Sequence, residues 1–191
     1  MASVIFSKIE HEAILATAMV FVSKLNQNRR INSRVLLDSG SQVNIILAAL
    51  VKRLNLPIRK ESQSIIIVGN QSNDSDYRVE LVIASKYSNL TLTISCIVMY
   101  EIVSLVPHSY IPIDNWNIPN QLQLADPTFN CPASVDLLLG SRIFWSVLKS
   151  EQYRLGNNLP KLCETELGWI IADDLKSSRH QTSVSVVSVV Q

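Results

Sequence analysis

The chain is poor in the residues that mark several common protein classes. Only 17% of its 191 residues are charged, and 17 basic residues face 16 acidic ones. That balance carries neither the footprint of a nucleic-acid binder nor an acidic disordered tail. The basic group Arg29, Arg30 and Arg34 is too small to change this, and no nucleic acid is expected as a partner. The three cysteines, Cys96, Cys131 and Cys163, form no C-x-x-C pair and leave one over if two are bridged, so reduced, partly buried thiols are expected. His11, His108 and His180 stand apart, and neither H-E-x-x-H nor G-x-S-x-G occurs. No metal and no cofactor are expected. The apolar stretch from Ala13 to Val22 follows Glu10, His11 and Glu12 rather than a basic region, and it is too short to span a bilayer. A chain of the cell interior, in the cytoplasm and away from membranes, is therefore expected.

Short runs of Val, Ile and Leu, with seven prolines against five glycines, lean towards a β-rich fold. Residues 13–22 and 33–37 read as paired strands around the polar loop Asn26-Gln27-Asn28. Val43, Ile46, Leu47, Leu50, Val51 and Leu54 recur at helical spacing until Pro57. Tyr77, Val79, Leu81 and Ile83 alternate with polar residues, as do Leu90, Leu92 and Ile94, which predicts a hairpin with one wet face. Between Ser104 and Ala133 five prolines exclude regular helix or central strand and predict a long ordered excursion. Leu137 to Gly140 then repeats an earlier pattern, an apolar run ending at Gly followed by a helical stretch to Leu148, and Lys161 to Ala172 supplies a last strand, with Leu167 to Ile171 as its apolar run. Trp116, Trp145 and Trp169 read as core or loop anchors.

The earlier copy of that pattern is Val35-Leu36-Leu37-Asp38-Ser39-Gly40-Ser41-Gln42, where an apolar strand delivers a carboxylate into a Ser-Gly bend. At such a bend backbone N–H groups can hold a carboxylate, and Gly is suited to positive φ. Asp-Ser-Gly is also an ordinary surface turn, so the tripeptide alone carries no function. Only this copy has a carboxylate after its apolar run, since Asp136 precedes the second run.

Four segments in order, Leu36 to Gln42, Leu124-Ala125-Asp126-Pro127, Asp136 to Gly140 and Leu167-Gly168-Trp169-Ile170, resemble the retropepsin-like aspartic peptidase domain of BEL/Pao-type retrotransposon polyproteins. The resemblance spans about residues 13–173, with the Pro-rich insertion at 104–133, a lead-in at 1–12 and a flexible tail at 174–191. It implies a mostly β acid-protease fold: a closed, barrel-like half-site with a flap hairpin and one or two short helices, acting as a homodimer. In that arrangement Asp38 of each subunit faces its mate, with no second motif needed in the chain. Ser39 and Gly40 are implied as supports of the catalytic loop. Val68, Gly69 and Asn70 are implied as flap residues that bind an extended polypeptide, and Leu138, Leu139 and Gly140 as the structural run behind the site.

The activity so implied is that of an aspartic endopeptidase processing a retroelement polyprotein, in the cytoplasm or inside virus-like particles. The alternative is a catalytically decayed or domesticated module that binds peptides or dimerises. The chain departs from the family at Arg142, where an acidic residue is usual, at the Gly-poor flap, and at Cys163-Glu164-Thr165-Glu166.

Overall fold

The most deeply buried positions of the first strand decide which side of the sheet is inside. In the computed structural model, which describes residues 14–60, 77–156 and 159–172, β1 (Thr17–Ser23) turns Ala18, Val20 and Val22 into an interior that excludes solvent completely. It pairs antiparallel with β2 (Arg30–Leu37), from Thr17↔Leu36 to Ser23↔Arg30. The chain continues through β3 (Ile45–Leu47), α1 (Ala48–Leu54) and β4 (Arg59–Lys60). The hairpin of β5 (Tyr77–Ala84) and β6 (Thr91–Met99) follows, then β7 (Leu137–Leu139), α2 (Ser141–Val147), β8 (Leu148–Arg154), β9 (Lys161–Thr165) and β10 (Gly168–Ala172).

The main sheet closes on itself. Its neighbours run β1-β2-β7-β3-β6-β5, and β5 returns to β1 through Phe21↔Ala84, Val22↔Ile83 and Ser23↔Val82, giving a closed six-stranded barrel. β4 adds to the start of β5, while β10, β9 and β8 form a separate three-stranded sheet. Inside the barrel, Val35, Leu37, Ile46, Leu81, Ile83, Leu137 and Leu139 join the β1 residues in one apolar core. Complete burial of such side chains stabilises by about 1.5–3 kcal/mol each.

The Pro-rich stretch has no regular element of its own, yet two further cores hold it down. Its Val106 packs with Leu36, Ile45, Val135 and Leu138 on the outside of the barrel wall. Its Phe129, with Trp116 and Leu122, packs on Leu162, Ile171 and Trp169 of the small sheet. The stretch therefore bridges barrel and small sheet, and β2 is covered on both faces.

Several sequence expectations are corrected. The helical spacing from Val43 to Leu54 spans two elements, the strand β3 and then α1, because Ile45 and Ile46 are drawn into pairing with β7 and β6. The expected last strand is a hairpin of β9 and β10, preceded by an unforeseen edge strand, β8, whose residues Lys149 to Arg154 are all exposed. Trp145 does not anchor a core: it is 64% exposed on α2, edge-on to Phe144. All three cysteines are free, with Cys96 fully buried. Among the described residues no helix is long and apolar enough to cross a membrane. The tail and the expected flap residues Val68, Gly69 and Asn70 lie outside the described residues; β4 and β5, which flank the latter segment, pair at Lys60↔Tyr77.

Candidate active site

Asp38 is the first residue past β2, and the strands beside it fix where it stands. β7 is inserted between β2 and β3, parallel to the former at Leu37↔Leu139 and antiparallel to the latter at Ile45↔Leu138. The loop from Asp38 to Asn44 must therefore arch over the end of β7. Its first peptide continues the ladder, since the Asp38 N–H donates to the Leu139 carbonyl at 2.9 Å. On the other side of β2, the Leu37 N–H donates to Ala16 at 2.9 Å. The root of the carboxylate is thus tied to a neighbour on both flanks.

The side chain is held by a local turn. The Gly40 N–H donates to Asp38 Oδ1 at 2.8 Å, which leaves Oδ2 without a hydrogen bond among the described residues. Asp38 is half-buried, while Ser39 and Gly40 are exposed. Gly40 does not adopt positive φ, contrary to the turn chemistry expected of it. A Cβ there would meet nothing closer than Asp38 Oδ1 at 3.3 Å, so space and not left-handed backbone is what Gly40 provides. The Ser39 hydroxyl makes no hydrogen bond within the described residues.

Two residues that sequence reasoning did not single out hold the loop. Ser41 is buried; its hydroxyl donates to the Val43 carbonyl at 3.0 Å, and its carbonyl accepts the Ser141 N–H at 2.7 Å. Asn44 accepts the Gly140 N–H at 2.9 Å through Oδ1 and donates through Nδ2 to the Ser95 carbonyl at 3.1 Å. One carboxamide so joins the loop, the end of β7 and β6. A polar residue at the entry to a short apolar strand was the available signal. Leu138 and Leu139 are buried in β7, and Gly140 is pressed against the loop: a Cβ there would lie 2.6 Å from the Val43 carbonyl oxygen and 2.7 Å from that of Ser41. The apolar-apolar-Gly run is thus the floor of the Asp38 loop.

Four residues before Asp38, Arg34 is buried in an ion pair with Asp126, Nε to Oδ2 2.5 Å. Its guanidinium also donates to the carbonyls of Val106, Cys131 and Thr128 at 2.6, 3.3 and 3.2 Å. Asp126 further accepts from the Thr17 hydroxyl at 2.8 Å and from both the N–H and hydroxyl of Thr128 at 2.9 Å. The Leu-Ala-Asp-Pro segment thereby clamps the Pro-rich stretch to β1 and β2. Arg34, grouped by sequence with the surface basic residues Arg29 and Arg30, is an internal structural cation.

Asp136 stands at the opposite end of β7, where its N–H donates to the Arg34 carbonyl at 2.9 Å. Four strand residues, roughly 13 Å, separate that level from Asp38. Burial raises the Asp136 carboxyl above the ordinary carboxylate range, opposed by a backbone hydrogen bond from Arg34 and the positive charge of Arg53. Burial likewise raises the thiols of Cys96 and Cys163, which suits structural rather than nucleophilic cysteines. Arg142 is exposed on the first turn of α2. Among the described residues, no three His, Cys, Asp or Glu side chains gather as a metal-binding group. No family model and no curated protein matches the chain.

Proposed function

We propose that the chain is an aspartic endopeptidase of the retropepsin type, related to the peptidase domain of BEL/Pao retrotransposon polyproteins, with its active site shared between two copies. The observation that carries this reading is the Asp38 loop itself: one carboxylate, rooted in a paired strand end, braced by Gly40 N–H and floored by Gly140, with one oxygen left unengaged among the described residues. Asp136 lies too far along β7 to complete a dyad within the chain. A second copy, related by a two-fold axis passing beside the exposed Ser39 and Gly40, supplies the partner carboxylate.

Two carboxylates at hydrogen-bond distance cannot both ionise, so the pair retains one proton. The ionised Asp38 takes a proton from water as that water attacks the scissile carbonyl. The protonated one donates to the carbonyl oxygen, and the roles then reverse as the amine leaves. The substrate is an extended polypeptide held by strand-type hydrogen bonding, which fits the expected role of Val68, Gly69 and Asn70.

The test is cleavage of a peptide library at mildly acidic pH. Activity should fall by at least about a hundredfold in Asp38→Asn, the scale of losing general acid–base catalysis. Titrating excess Asp38→Asn into wild type should suppress activity through mixed dimers. Cleavage that persists in Asp38→Asn refutes the mechanism, and a chain that stays monomeric in sedimentation at high concentration while cleaving refutes the shared site. A demonstrated dimer that cleaves nothing would be the non-catalytic module.

A further inference from the structure

The end of the barrel remote from Asp38 carries cations without acidic neighbours in sequence. Asp38 follows β2, whereas the β1–β2 loop precedes it, so the two lie at opposite ends of a strand roughly 25 Å long. The last residues of β5 lie alongside the end of β1, because Ser23 pairs with Val82 and Phe21 with Ala84. From Ile14 to Leu37, and again from Leu81 to Tyr100, the sequence has no Asp or Glu. The β1–β2 hairpin brings Lys24, Arg29 and Arg30 to this pole, while Lys86 lies further back along β1, its Nζ 5.5 Å from the Phe21 ring centroid. Among the described residues Lys24, Arg29 and Arg30 have no ion-pair partner. Glu80, two residues before Val82 on β5, is already engaged, pairing with Arg59 at 3.5 Å.

The pole is concave. A cavity of about 330 Å³ opens there, with Ser23, Val82 and Ala84 lining it alongside Lys24 and Arg30. Asn26, Gln27 and Asn28 complete the lining from the loop, where Asn26 sits at φ 59° and the Gln27 N–H bonds back to the Lys24 carbonyl. Two cations can share the single negative charge of a phosphate diester, and three carboxamides offer both donors and acceptors to a heterocycle edge or a sugar hydroxyl. The volume exceeds what one phosphate needs and suits a nucleotide-sized group.

We propose that this pocket binds one nucleotide unit of a single-stranded nucleic acid, placing the strand at the pole opposite the carboxylate. The whole-chain charge of +1 conceals this local asymmetry. A short fluorescent single-stranded RNA, titrated against the full chain at low salt and followed by anisotropy, tests the proposal. Lys24→Ala/Arg30→Ala should weaken binding about tenfold or more and lower the slope of log affinity against log salt by about 0.7, the value for losing one phosphate contact on a single strand. Asp38→Asn should bind as wild type does, which keeps this outcome independent of the peptidase reading. Adenosine monophosphate that competes as tightly as the strand would identify a free nucleotide as the source of the same chemistry. The proposal is overturned if RNA does not bind, if the double variant binds unchanged while keeping its wild-type urea midpoint, or if polyglutamate displaces RNA with equal affinity.

Discussion

Replacing one member of the Arg34–Asp126 pair should cost far more than its surface appearance in sequence suggests. The Arg34 side chain is 5% exposed and that of Asp126 is 0%, so water cannot re-solvate whichever charge is left behind. Asp126→Ala strands a guanidinium among three carbonyls, and Arg34→Met strands a carboxylate that keeps only Thr17 and Thr128 as donors. Each should lose about 3–5 kcal/mol, the range for an uncompensated buried charge. With a urea slope of about 1–3 kcal/mol/M, the midpoint should fall by more than about 1 M. Arg34→Met/Asp126→Ala removes both charges together, so its loss should be smaller than the sum of the single losses by about 2 kcal/mol or more. Thr17→Val, which deletes only one hydrogen bond to the carboxylate, should cost about 1.5–3 kcal/mol and remains measurable if the charge variants do not fold. Single variants within about 0.5 kcal/mol of wild type, the range of ordinary surface changes, or strictly additive losses would refute the clamp.

The two glycines that end the apolar runs should respond differently to Ala. Gly140→Ala forces a methyl against two backbone carbonyls and should destabilise by about 1–3 kcal/mol in urea unfolding, whereas Gly40→Ala should stay within about 1 kcal/mol of wild type, because only a carboxylate oxygen lies near and its φ is not positive. Asp136 has a raised folded-state affinity for its proton, so ionising it opposes folding as pH rises above the ordinary 3.8. The stability of Asp136→Asn relative to wild type should therefore improve through that window and level off above the raised value; a difference that is flat with pH would contradict the burial argument. Thiol modification under native conditions should spare Cys96, which is buried with its thiol shifted up, and reach it only when urea unfolds the chain.

How far the fold could be read from sequence depended on whether one period governed each segment. β5 and β6 were legible because apolar and polar residues alternate where one face lines the barrel, and β1 because it is an unbroken apolar run. β3 was not, since Ile45-Ile46-Leu47 runs straight into α1 and its apolar positions fit the helical period of Leu50, Val51 and Leu54. β8 was missed for the opposite reason: Lys-Ser-Glu-Gln-Tyr-Arg buries nothing, and its strand form comes from pairing with β9 rather than from its own pattern. At the site, Asp38, Gly40 and the Leu-Leu-Gly run were visible as motifs. Asn44 was not, because it acts on the Gly140 N–H at the end of β7, ninety-six residues later in sequence, and Ser41 was not, because the Ser141 N–H that its carbonyl accepts is similarly remote. Arg34 was misjudged since its partner is similarly remote, and only burial separates it from Arg29 and Arg30.

The physical division of labour around Asp38 explains how its loop is held in place with one carboxylate oxygen unengaged among the described residues. β3 and β7 are three residues long, too short for ladder hydrogen bonds alone to fix the intervening loop. Rigidity comes instead from side chains that substitute for missing ladder partners, the Asn44 carboxamide at Gly140 and Ser95 and the Ser41 hydroxyl at Val43. Those bonds lie on the barrel side of the loop and satisfy it there. The opposite side keeps Ser39 and Gly40 exposed, with the Ser39 hydroxyl and Asp38 Oδ2 unengaged among the described residues. Held as they are, they form a polar edge that the proposed two-fold pairing of copies would use, bringing the two carboxylates together.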